Sequence, residues 1–306
     1  MSKLLTILGP TASGKTELAC HVALELGAQI ISADSRQVYR GMDIGTGKDI
    51  DEYTINGTKI PYHLIDIKPA GYRYNIAEFQ LDFRKALKQI ESDHQIPILC
   101  GGSGMYIEAA LEGSSFLGIP PNEQLLTELK GLNSEELERA YDKIANFVKA
   151  ELNPLTDARK RRAVVIDEYI KVHPDWKPRT FEPLDYCIVG VAIDRDFRRE
   201  KITKRLSHRL NHGMIEEAQQ LLDKGVTHEQ LQFYGLEYKW LSRFLLQEIS
   251  KRELFEGLNT AIHQFSKRQM TWFRRMEKHG YQINWVKAEL SIEEKVKQSI
   301  SAFKQF

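Results

Sequence analysis

The sequence predicts an α/β fold, a parallel sheet flanked by helices and interrupted by a helical insertion, on three observations. Residues 9–16 read GPTASGKT, a full match to GxxxxGK[ST]. They stand between an apolar run at Leu4, Leu5, Ile7 and Leu8 and the helical spacing of Leu18, Ala19, Val22, Ala23 and Leu26. Apolar stretches of strand length recur at 29–33, 96–100 and 185–193, among segments of helical period. From Gly113 to about Pro183 the strand signals stop, and Pro120, Pro121, Pro154, Pro174 and Pro178 punctuate helical stretches at about 122–131, 134–152 and 157–172. The core is therefore P-loop NTPase-like and takes in 1–113 and 185–306, with 114–184 as an insertion expected over the site.

A glycine-rich turn leading from a strand into a helix aims several backbone N–H groups at one point, on the positive end of the helix dipole. Gly9, Pro10, Thr11, Ala12, Ser13, Gly14, Lys15 and Thr16 are thus the candidate polyphosphate binders. Lys15 reaches the outer phosphate and the Thr16 hydroxyl a magnesium ion (Mg2+). The next strand, QIISA at 29–33, ends at Asp34. Ligands in parallel sheets bind at the carboxyl ends of strands, which brings Asp34 beside the phosphate loop. Its alternative use is an N-cap for the segment at 35–39.

Gly41–Gly47, GMDIGTG, reads as a mobile surface loop, and Tyr62–Ile67 as another strand, with His63 a core or rim residue. Ile76, Phe79, Phe83, Leu87 and Ile90 step by three and four and define an amphipathic helix. The strand at 96–100 then runs into Gly101-Gly102-Ser103-Gly104 and a helix at 105–111. That second turn reaches the same sheet edge as the first. Either Ser103 donates to a phosphate there, or the glycines serve close packing. The strand at 185–193 delivers Asp194 and Arg195 to the ligand edge as well. The rest is helical, with one long helix marked by Leu258, Ile262, Phe265, Trp272 and Met276, before a final strand at 281–286.

Bulk composition excludes little. At 306 residues, 42% hydrophobic and 28% charged, the chain has the make-up of a soluble globular protein. A net charge of +1 gives no hint of nucleic acid, but its distribution does. Arg195–Arg209 holds seven Lys/Arg against two acids, and 267–278 is similarly basic. Arg198, Lys201, Arg205 and Arg209 share one helix face beside the apolar line of Ile202, Leu206 and Leu210, which presents a strip of cations to something anionic. Cys20, Cys100 and Cys187 are widely spaced among apolar neighbours, as in a reducing compartment. There is no basic leader with a long apolar run and no stretch approaching a membrane span, so no membrane partner and a cytoplasmic location are the expectation.

A P-loop alone implies an ATP- or GTP-binding enzyme, most often a small-molecule kinase at this length. Two features fit that poorly. No hydrophobic run ends in a clear Walker-B aspartate, Asp66 being the weak candidate, and a kinase has little use for basic helices beyond its nucleotide site.

Taken together, GPTASGKT at 9–16, DSRQVYRGMDIGTGK at 34–48, PYHLID at 61–66, Ile76-Ala77-Glu78-Phe79, PILCGGSGMYI at 97–107 and KRQMTWFRR at 267–275 closely resemble the tRNA dimethylallyltransferases, also called tRNA isopentenyltransferases. The resemblance runs nearly end to end and is weakest over about 113–185. It implies transfer of a five-carbon group from dimethylallyl diphosphate to N6 of adenosine 37, just 3′ of the anticodon in tRNA. The P-loop then holds a diphosphate leaving group, which suits it, since it reads phosphate oxygens and not a base. By the resemblance Asp34 is the general base, Ser103 stands where Thr is usual and keeps the hydroxyl, and one of Arg205 and Arg209 contacts the diphosphate. Asp34, Ser35, Arg36 and Gln37 contact the target base and its neighbours, although Arg36 replaces a usual apolar residue. Arg159, Lys160, Arg161 and Arg162, with Lys267, Arg268, Gln269 and Arg274, meet the anticodon stem-loop. Tyr234-Gly235-Leu236-Glu237 departs from the usual Gly-Tyr. The family suggests a monomer. Alternatives are a kinase, an isopentenyltransferase of free adenylate, which would need neither the insertion nor the basic helices, and a catalytically silent RNA-binding paralogue.

Overall fold

The structure is a computed structural model and describes residues 3–113, 115, 116, 118–152 and 156–306. Its main sheet comprises β1 (Leu4–Leu8), β2 (Gln29–Ser32), β3 (Tyr62–His63), β4 (Pro97–Gly101), β5 (Tyr186–Ala192) and β6 (Ile283–Lys287). The spatial order is β6-β5-β1-β4-β2-β3, and every pairing is parallel. β1, β2 and β4 are buried along their whole length, as strands covered by helices on both faces must be.

The helices are α1 (Lys15–Leu26), α2 (Ile76–Ser92), α3 (Gly104–Glu112), α4 (Glu123–Lys130), α5 (Ser134–Asp142), α6 (Asn146–Leu152), α7 (Asp157–Val172), α8 (Arg195–Leu210), α9 (Met214–Asp223), α10 (His228–Tyr234), α11 (Leu236–Leu245), α12 (Lys251–Lys278) and α13 (Ile292–Gln305). Side-chain alternation sorts the core into two layers. Leu5, Ile7, Ile30, Ile98 and Val189 face α1 and α13, while Leu4, Leu8, Ile31, Leu99 and Ile188 face α2, α8 and α12. Local signals start and stop the helices. Asn75 accepts from the N–H groups of Ala77 and Glu78 to open α2, and a reciprocal Ser250–Glu253 capping box opens α12.

The chain divides into two compact units, Met1–Leu111 with Pro183–Phe306, and Glu112–Glu182. The second has its own core of Leu129, Leu137, Val148 and Val164–Ile166 among the helices α4–α7. The helical stretch at 134–152 is two helices, because the N–H of Ala145 leaves the helical ladder for the buried Asp167 carboxylate at 2.8 Å. Pro154 lies outside the described residues.

Two expectations need correction. The strand at 62–67 stops after two residues, since Leu64 (φ 63°) and Asp66 (φ 57°) take left-handed backbone that no strand accommodates. Nor is 41–47 a free loop. The Glu217 carboxylate of α9 accepts the N–H groups of Asp43, Ile44 and Gly45 at 2.7, 2.7 and 2.9 Å, and the Tyr238 hydroxyl at 2.6 Å. Lys48 closes the same segment from within. It is fully buried, donating to the Tyr39 carbonyl and Asp43 at 2.6 Å each and also to Asp66. Among the described residues no helix is long and apolar enough to cross a membrane.

Candidate active site

The candidate phosphate site lies where β1 turns into α1. The turn is tight: a Cβ on Gly9 would lie 2.5 Å from the Ser13 hydroxyl, and Ala12 and Gly14 both take positive φ, 64° and 81°. α1 opens without a side-chain cap, so the N–H groups of its first turn are left for a ligand. The loop is braced from outside. Thr11 donates its N–H to the Gln269 side chain at 2.8 Å, and the same amide donates to the Gly102 carbonyl at 2.9 Å. One residue of α12 therefore ties the first glycine turn to the second.

At the turn 101–104 the close packing of the glycines is observed. Gly101 has the Ala33 backbone against it and Gly104 the Trp272 indole, so these glycines serve close packing. Ser103 between them is half-buried, and its hydroxyl has no partner among the described residues.

Asp34 follows the end of β2, and the capping use is the one seen directly. Its Oδ1 accepts the N–H of Arg36 at 2.8 Å, which caps the turn and leaves Oδ2 for a substrate. The surroundings are strongly charged. Burial lowers the Lys15 pKa, opposed by Cys100 and Asp34 and reinforced by Arg205. Arg205 is pushed down to about 10, chiefly by burial and then by Arg209, and remains protonated at neutral pH. The two arginines differ in kind. Arg209 donates from Nη2 to both Asp49 oxygens, at 2.7 and 2.8 Å, whereas the Arg205 guanidinium has no hydrogen-bond or ion-pair partner among the described residues.

Two carboxylates around this centre escaped the sequence reading. Burial raises both Glu52 and Glu237 to about 7; Asp49 adds to the shift of Glu52, while the backbone N–H of Glu237, Arg205 and Arg209 oppose that of Glu237. Only the departure at 234–237 pointed to the second, and nothing local pointed to the first. Asp66, the weak Walker-B candidate, is engaged with Lys48.

Several residues expected at the RNA are used within the protein. Gln269 is buried and spent on the two turns. Gln37 accepts from the Ser32 hydroxyl at 2.8 Å and donates to the Gly47 carbonyl at 3.1 Å. In the insertion, Lys160 pairs with Glu138, Arg161 holds the Leu129 carbonyl at 3.1 Å, and Arg162 holds those of Ile119 and Pro120 at 2.6 and 3.1 Å. Arg159 is exposed, and its side chain has no hydrogen-bond or ion-pair partner among the described residues. Ser35 is half-buried, and Arg36 lies 5.9 and 5.8 Å from the Phe233 and Tyr234 ring centres. Lys267, Arg268 and Arg274 are exposed on α12.

A parallel sheet whose P-loop turn has Asp34, Lys15 and Arg205 in electrostatic reach of one another defines an α/β protein with a candidate anion site. The model of the family described as IPP transferase matches residues 37–276. The tRNA dimethylallyltransferase 2 of Bacteroides fragilis is 49% identical over 306 residues, 98% of each chain. The tRNA dimethylallyltransferase 1 of Porphyromonas gingivalis is 50% identical over 294 residues, 95% of this chain and 96% of its own. The solved structure of the full-length tRNA isopentenylpyrophosphate transferase of Bacillus halodurans superposes with a TM-score of 0.71 at 29% identity, covering 100% of this chain and 99% of that one. The chain belongs to the IPP transferase family.

Proposed function

We propose that the protein transfers the dimethylallyl group of dimethylallyl diphosphate to N6 of adenosine 37 in tRNA, giving N6-(dimethylallyl)adenosine. It is a prenyltransferase that works as a monomer in the cytoplasm. The observation that carries this reading is the meeting of one carboxylate, Asp34, with the cations of a P-loop site, in a chain of this family.

In the reaction the bond between C1 of the prenyl group and the diphosphate oxygen breaks, and a bond from C1 to N6 forms. Negative charge appears on the departing diphosphate. In this reading the first-turn amides of α1, Lys15, Arg205 and the Ser103 hydroxyl receive it in a partly desolvated setting. The adenine amine is a poor nucleophile because its lone pair is delocalised into the ring. Asp34 Oδ2 accepts its proton as the new bond forms, while Oδ1 stays on the Arg36 N–H and keeps the carboxylate oriented.

Among the described residues the Thr16 hydroxyl has no protein partner, and no group of three His, Cys, Asp or Glu side chains could hold a metal. One protein oxygen beside substrate phosphates fits magnesium, which keeps waters and binds through phosphate oxygens. Bound to Thr16 and the diphosphate, magnesium would neutralise leaving-group charge.

Reaching N6 requires the base to leave its stack, which an unpaired anticodon-loop nucleotide does at little cost. Ser35 and Arg36 stand beside Asp34 to contact the extruded base and its neighbours. Incubation with unmodified tRNA and dimethylallyl diphosphate, followed by mass analysis of the nucleosides, tests the reading. N6-(dimethylallyl)adenosine at position 37 is the result it requires, and an unaltered adenosine overturns it.

A further inference from the structure

The cations of α8 and α12 that the phosphate site does not use converge on one cavity. Its volume is about 700 Å³, and it lies beyond the carboxyl end of β5. Arg195, Arg198 and Arg199 line it from α8, and His263, Lys267 and Arg274 from α12. None of its five Lys/Arg side chains has a hydrogen-bond or ion-pair partner among the described residues. Asp194 is the carboxylate in the lining, and it is committed to the start of α8, accepting the N–H groups of Asp196 and Phe197 at 2.8 and 3.1 Å.

Such a cluster repels itself. The Arg198 pKa is lowered by burial and then by Arg274 and Arg195, and that of His263 by burial and then by Arg199 and Arg198. The His263 Nδ1 is buried with no partner among the described residues, while Nε2 lies 3.3 Å from the Thr203 hydroxyl. A fold tolerates uncompensated like charges where a ligand of opposite charge completes them.

The lining also has length. Lys267 and Arg274 are seven residues apart on one helix face, about 10 Å along the axis at 1.5 Å per residue. A second hollow of about 700 Å³ continues between the same two helices and adds Lys204 and His208, with Glu200 as its acid. A compact diphosphate would fill one end of this groove, whereas a nucleic-acid strand carries phosphates along all of it. Resting on the tRNA-modifying activity proposed above, we infer that the groove between α8 and α12 is a docking track for the sugar-phosphate backbone of the tRNA, with Arg195, Arg198 and Arg199 as contacts.

The test is filter binding of an unmodified tRNA transcript to the full chain over a series of salt concentrations, with calorimetric titration of dimethylallyl diphosphate as a second arm. Arg195→Ala/Arg198→Ala is expected to weaken tRNA binding about 10-fold or more. It should also flatten the slope of log K against log salt by about 1.4, or about 0.7 for each single-strand phosphate that is no longer neutralised. Arg195→Ala alone, at an exposed position, should give half that change in slope. Arg198→Lys, which keeps the charge, should preserve it.

Unchanged tRNA affinity and slope in the double variant, with a wild type that prenylates tRNA, would overturn the docking track and leave the proposed reaction standing. Weakened dimethylallyl diphosphate binding with unchanged tRNA binding would assign the cations to the donor and overturn it equally. A wild type that prenylates no tRNA removes both.

Discussion

Arg209 is committed to Asp49, with Nη2 at 2.7 and 2.8 Å from the two carboxylate oxygens, while the guanidinium of Arg205, one turn earlier on α8, has no hydrogen-bond or ion-pair partner among the described residues. A pair of arginines that look equivalent in the sequence is therefore divided into one that holds the 41–49 loop and one that stands ready for an anion. Arg205→Ala should lower kcat/KM for prenyl transfer by about 10²–10³, the scale of losing one preorganised charge-stabilising donor. Arg209→Ala should cost less in transfer and more in melting temperature. Equal losses of transfer in the two variants would refute the division.

Asp34 makes a second, separable prediction. Because Oδ1 is fixed by the Arg36 N–H, Asp34→Asn can keep the capping bond and lose only the base. Transfer should fall by about 10²–10⁴, the range of general base catalysis, with tRNA affinity within about two-fold of wild type. Turnover in single-turnover assays that matches the wild type would remove Asp34 from the proton transfer.

Much of this layout is legible in the sequence, and the part that is not has a common cause. LLTIL, QIIS, PILCG and YCIVGVA are near-continuous apolar runs, and burial on both sheet faces leaves little else that they could be. The P-loop and Asp34 follow from position at the strand ends. What sequence patterns miss is long-range use of polar groups. The 41–47 segment looks like a glycine-rich surface loop because its partner, Glu217, lies 174 residues beyond Asp43. Gln269 sits in a basic, RNA-like string, yet its amide is spent on Thr11, 258 residues earlier. Arg161 and Arg162 look like an RNA strip, and the sequence does not show that they also hold backbone carbonyls of their own unit.

Glu217 itself is open to a direct test. A glutamine there keeps the shape and replaces one accepting oxygen by an N–H₂ that faces donors. Since the carboxylate receives three backbone N–H groups and the Tyr238 hydroxyl, most of them part-buried, Glu217→Gln should cost about 1–3 kcal/mol, as expected when such donors lose their acceptor. The amides of Asp43, Ile44 and Gly45 should also exchange with solvent faster. Unchanged protection of those amides would show that the loop is held by Lys48 without help from Glu217.

Glu237 sets a pH dependence whose sign follows from its surroundings. It lies at the start of α11, just after Leu236, whose φ of 35° is unusual for a non-glycine residue, and it faces Arg205, Arg209 and Asp34. Burial raises its carboxyl from an ordinary value of 4.5 to about 7 despite the pull of both arginines. Between those values the folded protein keeps a proton that the unfolded chain has released. The unfolded state then binds fewer protons, so this residue's contribution to stability falls as pH rises through the window and levels off above about 7. Glu237→Gln carries no such proton and loses nothing over that range. The melting temperature of Glu237→Gln relative to wild type should therefore climb from about pH 5 to about pH 7.5 and then stay flat. A difference that is constant across the range, or that shrinks with rising pH, would mean that the arginines hold this carboxylate ionised throughout.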